Sequence, residues 1–306
     1  MKKIIVTGSN GLLGQSLVSL LLEEKDKYEV IGFSKGKNRS GRNDFTYVST
    51  DITQQQEFIQ ELQKYQPDVI VNTAAMTQVD QCEDEKEKCD ILNVRVVEDL
   101  KNFAEKNNTH IVHLSTDFIF DGEKGDYYET DTANPLSYYG LSKLKAEEVL
   151  IHSTVNYTIL RTILVYGLVY DMSRSNIVLW VKKSLEEGKT ITVVNDQYRM
   201  PTYVETLAEA CKLAIDKKAY GIFNISSNKL LSVYEIALQI AETFELDKNC
   251  IRPISSQELN QKAKRPPKTG FNLEKTQAQL GLKTRNFKED LQNFKEKITL
   301  KNTFNV

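Results

Sequence analysis

The sequence predicts an α/β fold: a doubly wound parallel sheet with a smaller C-terminal lobe. Three observations predict it. Short β-branched runs alternate with amphipathic stretches through the first half of the chain, a glycine-rich turn directly follows the first of those runs, and the alternation becomes irregular in the second half. Strands alternating with helices of about 10–15 residues make βαβ units, and hence a parallel sheet covered on both faces.

Each element has its own signal. Residues 3–7 (KIIVT) read as a buried strand and residues 12–24 carry apolar side chains at helical spacing. Further strands are expected over 29–33, 45–49 and 69–72, with a helix over 54–65 that stops before Pro67. A helix over 90–106 and a strand over 111–115 follow, then a helix over 137–152 and a strand over 157–161. In the second half, helices are expected over 177–187, ended by Gly188, and over 203–215. Ser232 and Glu235 form a capping-box pattern opening a helix to residue 244. Asn272 caps a short helix that stops at Gly281, and Asn286 caps the last one. Segments 35–43 and 257–271 read as loops. The expected division is a nucleotide-binding unit over 1–168, to which part of the later chain returns, and a substrate lobe over 169–306.

Composition narrows the function. The chain has 306 residues, enough for one large or two small domains, and its 40 basic and 42 acidic residues leave a formal charge of −2. A nucleic-acid or anionic-membrane binder usually shows a basic surface, so neither partner is expected. Cys82, Cys89, Cys211 and Cys250 form no CxxC pair, and with His110, His113 and His152 they make no metal-ligand spacing. Reduced thiols in the cytoplasm are expected. The densest apolar stretch, 17–22, falls far short of the roughly 20 residues of a membrane-spanning helix. The apolar start at 4–6 is broken by Thr7–Gly8–Ser9–Asn10–Gly11 before a signal-peptide core can form.

That same segment carries the first functional signal. Gly8, Gly11 and Gly14 are spaced GxxGxxG between the first strand and first helix. Gly8 suits a tight turn, Gly11 lets backbone approach a pyrophosphate, and Gly14 lets helix and strand pack closely. The helix N-terminus presents N–H groups to the anion, so the fold is expected to be of the Rossmann type. The second strand ends near Ser34, where NAD-preferring sites usually carry Asp or Glu. Here Ser34–Lys35 stands, with Lys37, Arg39 and Arg42 behind it, so NADPH is expected, with NADH as the alternative. Asp51 and Ile52 follow the third strand, where a carboxylate can accept from the adenine amino group.

The second signal is Tyr139 four residues before Lys143, which on a helix places both on one face. An ammonium beside the hydroxyl favours phenolate and is expected to lower the Tyr139 pKa toward a useful range. Tyr138 lacks the spacing. Upstream, His113–Leu114–Ser115–Thr116–Asp117 ends a strand, where ligands of open parallel sheets sit. Thr116 can bond a reacting carbonyl and Asp117 a sugar hydroxyl; alternatively the pair caps the following loop.

Together these motifs resemble the extended short-chain dehydrogenase/reductases, and within them the dTDP-4-dehydrorhamnose reductase family. The resemblance runs through TGSNGLLGQ (7–15), NTAAMTQVDQCE (72–83), STDFIFDG (115–122), PLSYYGLSKLKAEE (135–148), LRTILVYG (160–167), NDQYRMPT (195–202) and RPPKTG (265–270). It implies NADPH-dependent reduction of a 4-keto nucleotide-sugar, with Thr116, Tyr139 and Lys143 as the catalytic set. For cofactor binding it implies Gly8, Gly11 and Leu12 with their neighbours Asn10 and Leu13, Asp51 and Ile52, and Ala74, Ala75 and Thr77, with Leu114 nearby. For the sugar nucleotide it implies Asp117, with Leu164, Asn176, Arg199 and Arg265 near the substrate. A homodimer is compatible with it. Departures fall in the substrate half. Leu164 stands where the family often has Trp, Arg199 closes a DQYG-like pattern, and Lys268–Thr269 alters an RPxxS segment. The stretch 169–175 resembles an insertion bordering that pocket. Two other functions remain open: epimerisation or dehydration of a nucleotide-sugar, disfavoured by Ser34–Lys35, and a regulatory role like that of the methionine adenosyltransferase β subunits.

Overall fold

The structure, a computed structural model, describes residues 1–171, 175–259 and 261–304. Residues 172–174 of the stretch expected to border the pocket, and residue 260 of the loop expected over 257–271, lie outside the described residues.

The first half runs β1 (Lys2–Thr7), α1 (Leu12–Leu21), β2 (Tyr28–Ser34), β3 (Thr46–Ser49), α2 (Gln55–Tyr65) and β4 (Val69–Asn72). It continues with α3 (Val79–Asp84), α4 (Lys86–Asp90), α5 (Val96–Asn107), β5 (His110–Thr116), α6 (Tyr138–Ile151) and β6 (Tyr157–Thr162). The second half contains β7 (Val165–Tyr166), α7 (Ile177–Glu186), β8 (Ile191–Val194), β9 (Tyr198–Arg199), β10 (Thr202–Tyr203) and α8 (Val204–Lys217). β11 (Gly221–Ile225), β12 (Leu231–Ser232), α9 (Val233–Thr243), β13 (Ile251–Ile254) and α10 (Phe287–Phe304) complete it.

Seven strands form one sheet in the order β11-β6-β5-β4-β1-β2-β3. Every pairing in it is parallel. This is the expected doubly wound sheet, and the order reverses between β1 and β4, where such sheets hold their ligands. The strands are apolar on both faces because both are covered. On one face Ile4, Val6, Leu160 and Phe223 meet α1 and α8, whose Leu17, Val18, Leu207 and Cys211 are buried with them. On the other, Ile5, Ile31, Ile70 and Ile111 meet Phe58 of α2, Leu100 of α5 and Ala146 of α6.

β11 gave no sequence signal as a strand, yet it pairs with β6 at the sheet edge. The short parallel pair β8–β13 was also unread. Both became strands through partners distant in sequence. Core residues of α7, α9 and α10 (Val181, Ile240, Phe294) share one apolar cluster with α1 and α8. The smaller lobe is thus packed onto the sheet's covering helices.

The helix expected over 90–106 lies within one helical run from Lys86 to Asn107, which widens to a π-helical turn over Ile91–Arg95. α3 is separate, ended at Glu85, whereas α4 runs through this wide turn directly into α5 at Val96. The wide turn carries Asn93, whose Oδ1 accepts from Met76 N–H (2.8 Å) and whose Nδ2 donates to Met76 C=O (3.1 Å) and Ser142 Oγ (2.9 Å). A buried amide satisfied from two other segments stabilises a geometry that a periodic pattern cannot report. The capping box behaves as read: Ser232 Oγ accepts from Glu235 N–H, and Glu235 accepts in return from Ser232 N–H. Asn286 and Glu289 exchange the same pair of bonds at α10.

Candidate active site

A cleft of about 920 Å³ opens along the C-terminal ends of the sheet strands and runs from the β1–α1 turn to the smaller lobe. One end is the glycine turn. Gly8 has φ +67°, a conformation few other residues adopt without strain. Gly11 is the N-cap of α1, which has neither a side-chain cap nor an acidic residue in its first turn. That leaves an uncompensated positive helix end, suited to an anion. A Cβ on Gly14 would collide with the Gly8 carbonyl, so glycine is required for α1 to approach the turn. The chain's own residues therefore fit a dinucleotide diphosphate.

Leu12, Leu13, Ser34, Lys35, Ala74 and Ala75 line the same end of the cleft, as do Thr77 and Leu114. Asn10 lines it too, but its side chain is engaged elsewhere. Nδ2 donates to Lys37 C=O (2.9 Å) and Tyr47 Oη (3.0 Å), and Oδ1 accepts from Arg39 N–H (2.8 Å). It ties the loop after β2 to the glycine turn. Asp51 and Ile52 are not among the lining residues; Asp51 accepts from Lys35 Nζ (2.8 Å), and Ile52 is buried. Lys35 and Arg39 thus each have an anionic partner within the chain, Asp51 and Asp171 respectively.

Mid-cleft, β5 ends in Thr116 and α6 begins at Tyr138, capped by Ser137 Oγ, which accepts from Gly140 N–H. This brings Thr116, Tyr139 and Lys143 to one stretch of the wall. Gly140 is required here as well: a Cβ would strike the Phe118 carbonyl. Thr116 Oγ1 donates to Asp117 Oδ1 (3.1 Å) and accepts from Phe118 N–H (3.3 Å), so it does cap the following turn while facing the cleft. Tyr138 points elsewhere, donating to Asp90 Oδ2 (2.7 Å).

The expectation of a lowered Tyr139 pKa is corrected. Burial raises it, outweighing the lowering from the Thr116 hydroxyl. Burial likewise lowers Lys143 to about 8. The hydrogen-bond partner of the ammonium is not the phenol but His113 Nε2, at 3.1 Å. Sequence reasoning placed His113 in the strand-end motif but gave it no role. Its signal was a polar residue inside an apolar run, two positions before Ser115.

At the far end the expected substrate residues line the cleft but are heavily bonded within the chain. Asp117 Oδ2 accepts from Thr269 Oγ1 (2.5 Å) and lies 3.8 Å from Arg199 Nε. Burial raises the Asp117 pKa, opposed by the Arg199 charge. Arg199 is buried and donates to the carbonyls of Tyr198 (2.7 Å) and Pro266 (2.8 Å). Arg265 pairs with Asp80 at 2.8 Å. Asn176 caps α7 and donates to Gly167 C=O (2.8 Å). Leu164 is held at φ +41°, unusual for leucine and placed on the cleft wall. Among the described residues no cluster of His, Cys, Asp and Glu could hold a metal, and no helix is long and apolar enough to cross a membrane.

A parallel doubly wound sheet, a glycine turn at its switch point and a Tyr–Lys pair beside a strand-end Thr define an extended short-chain dehydrogenase/reductase. Residues 1–300 match the family model described as the RmlD substrate binding domain, and the chain belongs to that family. It is 31% identical to a dTDP-4-dehydrorhamnose reductase of Aggregatibacter actinomycetemcomitans, over 96% of this chain and 99% of the relative. It is 28% identical to the methionine adenosyltransferase 2 subunit beta of Xenopus tropicalis, over 84% and 76%. Among solved structures, a dTDP-4-dehydrorhamnose reductase of Clostridium acetobutylicum superposes with a TM-score of 0.86 at 30% identity, covering 97% of this chain and 99% of the other. Another, from Bacillus anthracis and in complex with NADP, gives 0.85 at 26% identity over the same shares.

Proposed function

We propose that the chain is an NADPH-dependent reductase of a 4-keto nucleotide-sugar, with dTDP-4-dehydrorhamnose as substrate and dTDP-L-rhamnose as product. The observation that carries this reading is the meeting of Thr116, Tyr139 and Lys143 in one cleft with the Gly8–Gly11 turn. A reduced nicotinamide, when bound, supplies hydride to the carbonyl carbon. The chain's residues do the rest. Thr116 Oγ1 bonds the carbonyl oxygen. Tyr139 donates its proton to that oxygen as negative charge develops, and its raised pKa keeps the proton in place until then. The Lys143 ammonium lowers the cost of the phenolate left behind and bonds ribose hydroxyls. Burial of Lys143 disfavours its charge but strengthens the attraction between ammonium and phenolate by keeping water away.

Ser34, Lys35 and Arg39 line the adenosine end and suit a 2′-phosphate, with NADH as a poorer donor. The identification of the far-end residues as sugar-nucleotide contacts, the division near residue 168, a cytoplasmic location and a homodimer belong to the same proposal. The test is NADPH oxidation with dTDP-4-dehydrorhamnose against UDP- and GDP-linked 4-keto sugars. Turnover on the dTDP sugar is expected to dominate, and no turnover on any of them overturns the reading. The relative named methionine adenosyltransferase 2 subunit beta supports a second reading, a subunit of another enzyme. Normal NADPH binding without turnover, and co-purification with a methionine adenosyltransferase, would favour it.

A further inference from the structure

The sheet carries a buried polar row where its neighbours are apolar. Thr7, Asn72 and His113 are register partners across β1, β4 and β5. Two residues earlier on the same face the row is Ile5, Ile70, Ile111, which packs under α6. The polar row is hydrogen-bonded end to end. Thr7 Oγ1 lies 2.6 Å from Asn72 Oδ1, Asn72 Nδ2 lies 3.2 Å from His113 Nδ1, and His113 Nε2 lies 3.1 Å from Lys143 Nζ. Thr7, Asn72 and His113 are each at most 2% exposed, and none lines the cleft; Lys143 does. The row meets the cleft through the lysine.

We infer that His113 is a positioning residue for the proposed reduction: its Nε2 accepts from Lys143 and holds the ammonium, charged, at the cleft wall. An ammonium has three protons to donate and no acceptor capacity, so a charged Lys143 requires Nε2 to be unprotonated. The ring proton is then on Nδ1 and must meet an acceptor. That requires the Asn72 amide to turn Oδ1 toward His113 and Nδ2 toward Thr7 Oγ1, a flip that exchanges the amide's O and N and moves no other heavy atom. With the amide in the opposite sense, Nε2 carries the proton and can bond only a neutral lysine. The row has two consistent polarities, and each belongs to one charge state of Lys143. Other groups around Lys143 are Tyr139 and Glu147 on its own helix and Cys89 on α4. Burial holds His113 well below its ordinary pKa, aided by the Lys143 charge, so it stays neutral and available as an acceptor.

The inference rests on the proposed reductase reading, and the experiment separates the two. His113→Phe keeps volume and removes the acceptor; His113→Gln restores one. A hydrogen bond to a charged group corresponds to about one to two pH units of a pKa. Losing it lowers the Lys143 pKa further, so the alkaline limb of kcat in His113→Phe should move down by that amount. KM for the sugar should be nearly unchanged, and His113→Gln should recover most of the shift. Independently of turnover, long-range 1H–15N spectra resolve the tautomers of the protein's three histidines. His113 should be the Nδ1–H form near pH 7 and should change tautomer as Lys143 deprotonates, a change absent in Lys143→Met. A folded His113→Phe with a wild-type pH profile, or an Nε2–H tautomer at neutral pH, overturns the inference. If Tyr139→Phe reduces the sugar normally, the reductase reading itself has failed, whatever His113 does.

Discussion

The two ends of the cleft are built differently. At the end proposed to hold the nucleotide, the wall is built of backbone. Gly8, Gly11 and Gly14 fall within seven consecutive residues, and the helix end they open carries no side-chain cap. At the end proposed to hold the sugar, the polar side chains are bound to partners far away in sequence: Asp117 to Thr269, Arg199 to Pro266, Arg265 to Asp80. A local turn presents its N–H groups wherever it forms. The smaller lobe needs long-range contacts first to hold its shape, and side chains that line the cleft supply them. Similarity between relatives at the first end therefore bears on chemistry, whereas at the second end it mixes substrate contact with architecture.

The sharpest way to test the contrast is to remove one atom at the chemical centre. Tyr139→Phe should cut kcat by about 10²–10⁴-fold, as loss of a general acid does, with Tm nearly unchanged. Tyr138→Phe should leave kcat within a few-fold, because its hydroxyl bonds Asp90. If Tyr138→Phe is the inactive variant, the assignment of the α6 face is wrong.

Next in size is Arg199→Leu at the sugar end. It leaves Asp117 buried beside Thr269 without its cation, and breaking such a pair costs about 3–5 kcal/mol. Thermal unfolding should show a large loss of Tm, and Asp117→Asn in the same chain should recover part of it. A stable Arg199→Leu variant with only KM raised would make Arg199 a substrate contact and erase the contrast.

A smaller effect is expected from Ser34→Asp, which brings a carboxylate to the adenosine end. Losing a charge-assisted contact to the 2′-phosphate is worth roughly 1.5–3 kcal/mol, or about ten- to a hundredfold in the NADPH/NADH preference. Steady-state kinetics with the two cofactors checks it; an unchanged ratio rules out recognition there. The smallest effect should come from Arg265→Ala. Its partner Asp80 is about half exposed, so the pair contributes at most about 1 kcal/mol to stability. A large rise in sugar KM from this variant, with Tm unmoved, would show that Arg265 recognises substrate.

Local signals determined much of the molecule. β4 and the start of α7 fall at the residues expected, because apolar runs and caps are written in adjacent positions. The glycine turn and the Tyr139–Lys143 spacing were legible for the same reason: a tight turn and an i,i+4 face each need only a few neighbouring residues. Tertiary structure decided the rest. β11 became a sheet strand by pairing with β6, and the wide turn at Ile91–Arg95 formed around Asn93, which reaches Met76 and Ser142. Burial, which no spacing reports, reversed the expected direction of the Tyr139 pKa. It also gave Lys143 a partner, His113, from a strand 30 residues earlier. Periodicity records which way a side chain faces, but charge and hydrogen bonding depend on what the fold places opposite it.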